Sequence, residues 1–235
     1  MLTLDRNSHV TGSRGFAWLR NLPVPDFPFK FKTSSSYELD PKRNYLFCCY
    51  PHGLLPVGVV LPFLFEKCGF KNVFPNHKPY LTTMPESYYF PYFREMLLAF
   101  NCCSASEKSL NYLLSDKNAG NAVALIVGVP VFSFGVNSVY KYPQNKFLDW
   151  IKTVTGINLK LSYGQGFFHN WYGIVPFINP VNTIVGEPID VKRNDNPTRE
   201  EVEELHKKFT NALIKLFDDH KHLYEEDDIK LVIIE

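Results

Sequence analysis

The chain carries no Asn-x-Ser/Thr sequon, and its first 30 residues, with Arg6, Arg14, Arg20 and three prolines, lack the continuous apolar centre of a signal peptide. Secretion is not indicated. An excess of one charge is also lacking: 25 Lys and Arg face 24 Asp and Glu. No net field draws a polyanion, which argues against a dedicated nucleic-acid binder. Cysteine is scarce, with the neighbours Cys48–Cys49 and Cys102–Cys103 plus Cys68. Adjacent cysteines do not readily bridge each other within one strand or helix, so a reduced, cytosol-facing environment is expected.

What is present in quantity is aromatic. Twenty Phe and 13 Tyr stand in 235 residues that are 45% apolar and 21% charged. That balance is globular, and the length allows one large domain or two small ones. The aromatic surplus fits either a protein that handles lipid at a membrane or a large aromatic core. One long stretch, Leu46–Phe65 (LFCCYPHGLLPVGVVLPFLF), has no Asp, Glu, Lys or Arg. Its length would suit a spanning helix, but Pro51, Pro56 and Pro62, with Gly53 and Gly58, break the hydrogen-bond ladder, and His52 adds a polar group that lipid cannot satisfy. We read a buried strand at Tyr45–Tyr50, a turn at Pro51-His52-Gly53, then an irregular or kinked apolar helix. Such a segment either dips into one leaflet or forms ordinary core.

Elsewhere, residues 1–44 are polar and weakly periodic, an N-terminal arm ahead of a domain at 45–235. Pro79–Thr83, Ala122–Val127, Val129–Phe134 and Thr183–Ile189 have strand character. Tyr88–Phe100 has helical spacing at Tyr92, Met96 and Phe100, and Ser106–Ser115 is a second short helix closed by a turn at Asp116–Gly120. Thr198 and Glu201 have capping-box spacing before a helix with the stripe Val202, Leu205, Phe209, Leu213 and Leu216. Strands alternating with helices indicate an α/β domain.

His52 is the residue on which chemistry turns. It stands where a strand ends and a helix can begin, between Pro51 and Gly53, which fix a tight turn. An imidazole with a pKa near 6.5 can accept a hydroxyl proton near neutral pH, worth typically 10²–10⁴-fold, provided a carboxylate or carbonyl orients the ring.

Tyr50-Pro51-His52-Gly53, Lys78-Pro79-Tyr80-Leu81, Phe93-Arg94-Glu95, Gly120-Asn121-Ala122, Val129-Pro130-Val131-Phe132-Ser133-Phe134-Gly135, Gly173-Ile174-Val175-Pro176-Phe177 and Val185-Gly186-Glu187-Pro188-Ile189 occur in that order. So do Leu205-His206, Leu216-Phe217 and His220-Lys221 in the last helix. In order and rough spacing this series resembles the type-2 diacylglycerol acyltransferase and monoacylglycerol acyltransferase family from about Asn44 onward. The resemblance implies a layered mixed sheet with helices on both faces, similar to the glycerophosphate acyltransferases. It implies transfer of a fatty acyl group from acyl-coenzyme A, as co-substrate, to a mono- or diacylglycerol hydroxyl at the cytosolic face of the endoplasmic reticulum membrane. His52 is the implied base, Tyr50, Pro51 and Gly53 support its turn, and Leu54, Leu55, Val59 and Phe63 would line an acyl groove. Asn121 joins the candidate substrate contacts through its motif. Arg94 is open between a coenzyme A phosphate contact and a structural ion pair.

The departures matter too. The family carries a transmembrane hairpin ahead of the matching region, and residues 1–44 are not apolar enough to supply one. After Ile126-Val127-Gly128 the family continues into a Gly-Gly-Ala-x-Glu segment and a basic helical stretch, whereas here Val129 follows directly. A few dozen residues are missing, including the expected carboxylate partner of His52. Val57 stands where the related glycerophosphate acyltransferases place an Asp, Val136 where the family has Glu, and Gln165 where it has Arg. Glu86, Glu95 and Glu107 are the remaining candidate acids. Two parallel strands cannot be joined by Gly128 alone, so one of Ala122–Val127 and Val129–Phe134 is expected to give way, with one crossover lost. Cys48, Cys49 and His52 have no second Cys/His pair at zinc spacing, so no metal is expected, and no cofactor beyond the acyl-coenzyme A co-substrate. Two readings follow: an O-acyltransferase of neutral lipid synthesis, or a catalytically silent truncated form that binds lipid, the membrane, another copy or a full-length homologue.

Overall fold

Short apolar runs rich in aromatic and β-branched residues become strands because their side chains pack on a pleated, buried surface. The computed structural model describes residues 7–12, 28–51, 57–65, 68–125, 129–141, 164, 177–191, 194, 196–224 and 229–233. The described strands are β1 (Phe29–Thr33), β2 (Tyr45–Tyr50), β3 (Lys78–Thr83), β4 (Cys102–Ser104), β5 (Asn121–Leu125), β6 (Val129–Phe134) and β7 (Val181–Val185). They form one sheet of order β1-β7-β6-β2-β5-β3-β4. From β6 to β4 the strands are parallel, while β7 is antiparallel to β6 and carries β1 parallel at its far side. The sheet is therefore mixed and the class α/β, as the sequence indicated.

The described helices are α1 (Ser8–Thr11), α2 (Val57–Leu64), α3 (Phe70–Val73), α4 (Phe93–Ala99), α5 (Glu107–Leu113) and α6 (Arg199–His220). They lie on both faces of the sheet. On one, Phe63 of α2, Phe70 of α3 and Phe74 interlock with Phe47, Cys49 and Val131. On the other, α6 sets Leu213, Leu216 and Phe217 on Phe132, Phe134 and Ile184, and α5 sets Leu113 on Tyr80, Cys103 and Val123. The period-2 alternation of β2 and β6 sends consecutive side chains to opposite clusters. Ring pairs such as Phe63–Phe70 at 4.7 Å and Phe132–Phe217 at 5.0 Å show where much of the aromatic surplus goes.

Leu46–Phe65 turns its described residues inward. Phe47, Cys48 and Cys49 of β2 and Val57, Val59, Phe63 and Leu64 of α2 are buried. Among the described residues no helix is long and apolar enough to cross a membrane. The N-terminal arm is tied down twice: β1 extends the sheet beside β7, and Ser109 Oγ donates to the Val10 carbonyl at 2.8 Å.

Two expectations give way here. The helix read over Tyr88–Phe100 is split, with a 3₁₀ turn at Pro85–Tyr89 and α4 beginning only at Phe93. Pro91 pushes Phe90 into extended backbone, and Tyr92 sits at φ +65°, so its ring points to solvent with 89% of its surface exposed. Near the sheet junction, neither strand yields. β5 and β6 both pair parallel with β2, one on each side, and residues 126–128 between them lie outside the described residues. Both strands persist because each is buried and completes its ladder on β2.

The expected capping box forms as read, with Glu201 N donating to Thr198 Oγ1 at 3.2 Å and Thr198 N to Glu201 Oε2 at 2.9 Å. The stripe behind it engages the core only in its C-terminal half. Leu213 and Leu216 are buried, Phe209 is half-buried and Val202 is exposed.

Candidate functional site

The chain leaves β2 toward β3, β4 and β5 on one side, while β6 and β7 lie on the other, so β2 is the switch strand of the sheet. Crevices for ligands open at the carboxyl ends of strands at such a point. β2 ends at Tyr50, Pro51 follows, and α2 starts at Val57. His52, Gly53, Leu54 and Leu55 lie between these two anchors and outside the described residues. Gln165 and Gly173–Pro176 also lie outside them.

Beside the end of β2 opens a cavity of about 590 Å³. Tyr50 and Pro51 form one wall and Phe132, Ser133 and Val136 another, with His206, Phe209, Thr210 and Leu213 of α6 and the segment Ile229–Ile233 closing it. Tyr50 is half-buried, its ring 6.1 Å from that of Phe209, and burial raises its phenol above the usual value. Gly135, at φ +81°, lets the chain turn out of β6 beside this cavity, since a Cβ there would meet the Pro180 carbonyl. His206 was legible only as part of the last helix. Its place three residues before Phe209 and seven before Leu213 was the available signal that it shares their helix face.

Other sequence candidates lie elsewhere. Val59 and Phe63 are enclosed in the core under the sheet rather than in this cavity. Asn121 opens β5 at the opposite edge: Ala122 is in register with Tyr45, so Asn121 stands about 20 Å along the strands from Tyr50. Its side chain fastens α5 to the sheet by donating to the Leu113 carbonyl at 2.8 Å, and its N–H donates to Asn44 Oδ1 at 2.9 Å. Arg94 is buried and pairs with Glu95 Oε1 of its own helix α4 at 2.7 Å.

No Asp or Glu is among the described residues lining the cavity. Glu86, Glu95 and Glu107 are all exposed. Val57 and Val136, the two positions where the resemblance led us to look for acids, pack together with Val139, Tyr140 and Val181 in an apolar cluster. Burial pushes the thiols of Cys48 and Cys49 far up and that of Cys103 up to about 12, away from the reactive thiolate form.

Known proteins resemble this chain in sequence. The sequence profile described as diacylglycerol acyltransferase matches residues 1–128 and 129–234, and so takes in the N-terminal arm that the motif series did not reach. Diacylglycerol O-acyltransferase 2-like protein 6 of Homo sapiens is 32% identical over 271 residues, covering 95% of this chain and 80% of the relative. 2-acylglycerol O-acyltransferase 1 of Bos taurus is 31% identical over 268 residues, with 95% and 80% covered. Diacylglycerol O-acyltransferase 2 of Danio rerio is 31% identical over 278 residues, with 99% and 77% covered. That last alignment is longer than the 235-residue chain by 43 positions, so at least 43 positions of the relative face no residue here. The profile match divides between Gly128 and Val129. No solved structure matches.

Proposed function

The chain belongs to the diacylglycerol acyltransferase family, whose members here are acylglycerol O-acyltransferases, and from that premise we propose that it is built to move a fatty acyl group from acyl-coenzyme A to a mono- or diacylglycerol hydroxyl. The observation that carries this reading is that Tyr50 and Pro51, the two residues that precede His52 in the chain, stand at the carboxyl end of the switch strand and line a cavity of about 590 Å³.

In this reading His52 accepts the proton of the acceptor hydroxyl as its oxygen attacks the thioester carbonyl. The tetrahedral intermediate then expels the coenzyme A thiolate, and the imidazolium returns the proton to that sulfur. The fold likeness to glycerophosphate acyltransferases belongs to the same proposal, as does residence at the cytosolic face of the endoplasmic reticulum membrane. Membrane contact draws support from a different segment than Leu46–Phe65. Met84, Tyr89, Phe90, Tyr92, Phe93 and Met96 are exposed apolar side chains that follow the carboxyl end of β3, a strand parallel to β2. Aromatic rings of this kind favour the bilayer interface.

A second reading is favoured by the division at Gly128 and Val129. With the family's segment absent and no acid lining the cavity, the chain acts as a lipid-binding or partner-binding form, joined to another copy or a full-length homologue. A microsomal assay with labelled acyl-coenzyme A and both acceptors decides between them. It is run on the chain as it stands and with the family's segment inserted after Gly128. Transfer only in the restored chain supports the second reading for the native form, and transfer in neither overturns the enzyme reading.

A further inference from the structure

The last helix holds more apolar surface than the sheet accepts. Its C-terminal half is sealed by Phe132, Phe134 and Ile184, yet Phe209 remains half-buried and faces the cavity with Leu213 and Phe217. Across from it lies the segment Ile229–Ile233, whose Leu231 packs against the same cluster and whose Ile229 carbonyl accepts from Lys221 Nζ at 3.4 Å. Strand end, helix and C-terminal segment thus enclose a largely hydrocarbon-lined space that begins at Pro51, the residue before His52. At about 590 Å³ it falls within the 300–1,000 Å³ of small-ligand sites. Its polar lining side chains are Tyr50, Ser133, Asn137, His206, Thr210 and Lys230, and no carboxylate is present among the described lining residues.

We propose that this cavity, between α6, the end of β2 and residues 229–233, holds the single hydrocarbon chain of the fatty acyl thioester, with its carbonyl end toward Pro51. The assignment rests on the acyl-transfer reading and moves the acyl site from Leu54–Phe63 to Phe209, Leu213, Phe217 and Leu231. A chain inside a space of fixed size has two marks. Affinity rises about fourfold per methylene, and the rise stops when the space is full. Partition into a lipid film or an aggregate shows no such stop.

The probe is cis-parinaric acid, an eighteen-carbon polyene that fluoresces when it leaves water, titrated into the full chain. Saturable binding of one probe per chain is expected. Competition by saturated fatty acids from eight carbons upward should strengthen about fourfold per carbon and then level off. Thr210→Trp, on the half-buried face of α6 toward the cavity, should weaken probe binding at least tenfold with an unchanged circular dichroism spectrum. Phe209→Ala, which widens the space, should move the levelling-off point to a longer acid. Competition that rises without levelling overturns the assignment even where Thr210→Trp fails to fold. So does probe binding that both variants leave untouched. Dodecanoyl-coenzyme A should displace the probe more strongly than monododecanoylglycerol, and the reverse order overturns the thioester as occupant. Saturable, Trp-sensitive binding in a chain that transfers no acyl group upholds the cavity and counts against the catalytic reading alone.

Discussion

Lengthening the connection between β5 and β6 should stabilise the chain, against what loop entropy alone predicts. Leu125 pairs with Cys48 and Val129 with Phe47, so the two ends stand at nearly equal height on opposite sides of β2. Two strand spacings separate them by about 9.6 Å, and a path over one sheet face must also clear about 5 Å of side-chain layer, for a route of about 14 Å. Four residue steps reach at most about 13–14 Å fully extended. By these distances four steps match the route with no slack, whereas a dozen or more residues usually join parallel strands. Inserting twelve Gly and Ser residues after Gly128 lengthens a three-residue loop fivefold, which costs about 1.4 kcal/mol in closure entropy. At about 2–4 °C per kcal/mol for a chain of this size, an untaut junction would lose about 3–6 °C in Tm. We expect a gain instead, read in parallel thermal and urea melts of the two chains. A loss of about 3–6 °C would refute the reasoning and show that three residues suffice.

Three further outcomes follow from the packing. Gly58→Ala should cost about 1–3 kcal/mol, because a Cβ there would stand 2.6 Å from Ser133 Cβ and 2.9 Å from Thr183 Oγ1, the hydroxyl that donates to the Gly58 carbonyl; an unchanged urea midpoint would contradict it. His77 is buried between Tyr45 and Phe74, with neither ring nitrogen hydrogen-bonded among the described residues. Desolvation, aided by Lys71 and opposed only in part by Asp40, lowers its pKa. The unfolded chain therefore takes up this proton first. The stability that neutral His77 preserves is complete above about pH 6.5 and falls toward the lower folded value, by up to about 1.4 kcal/mol per pH unit. His77→Leu should flatten this part of the acid limb in melts at pH 7.5, 6.5 and 5.5, and identical slopes would remove His77 from the account. Replacing Tyr89, Phe90 and Tyr92 together by Ser should lower binding to phosphatidylcholine vesicles at least tenfold at unchanged Tm, whereas equal binding would move the membrane contact elsewhere.

The sheet was legible where one strand's sequence determines its own burial. Tyr45–Tyr50 and Val129–Phe134 have the bounds read from their apolar runs, and Thr198 with Glu201 marked the start of α6 by a hydrogen-bond pattern that is wholly local. What stayed illegible depends on partners far along the chain. Tyr92, Met96 and Phe100 have helical spacing, but Pro91 cuts the helix and the first two side chains face outward. Val59 and Phe63 look like groove residues in a free-standing apolar segment and become core only because Phe47 and Phe70 lie against them. Asn121 sits in a family motif, and its bonds to Leu113 and Asn44 at the start of β5 become visible only in the fold. The cavity has no sequence signature, since its walls come from residues 50–51, 132–137, 206–217 and 229–233.

The central claim is that acyl transfer in this fold turns on His52 at the end of β2. The most direct test is the rate of transfer from labelled acyl-coenzyme A to mono- and diacylglycerol by the chain with its family segment restored, measured beside the same chain carrying His52→Ala. The account predicts at least a hundredfold loss at equal expression and membrane recovery. Equal rates in the two chains would contradict it.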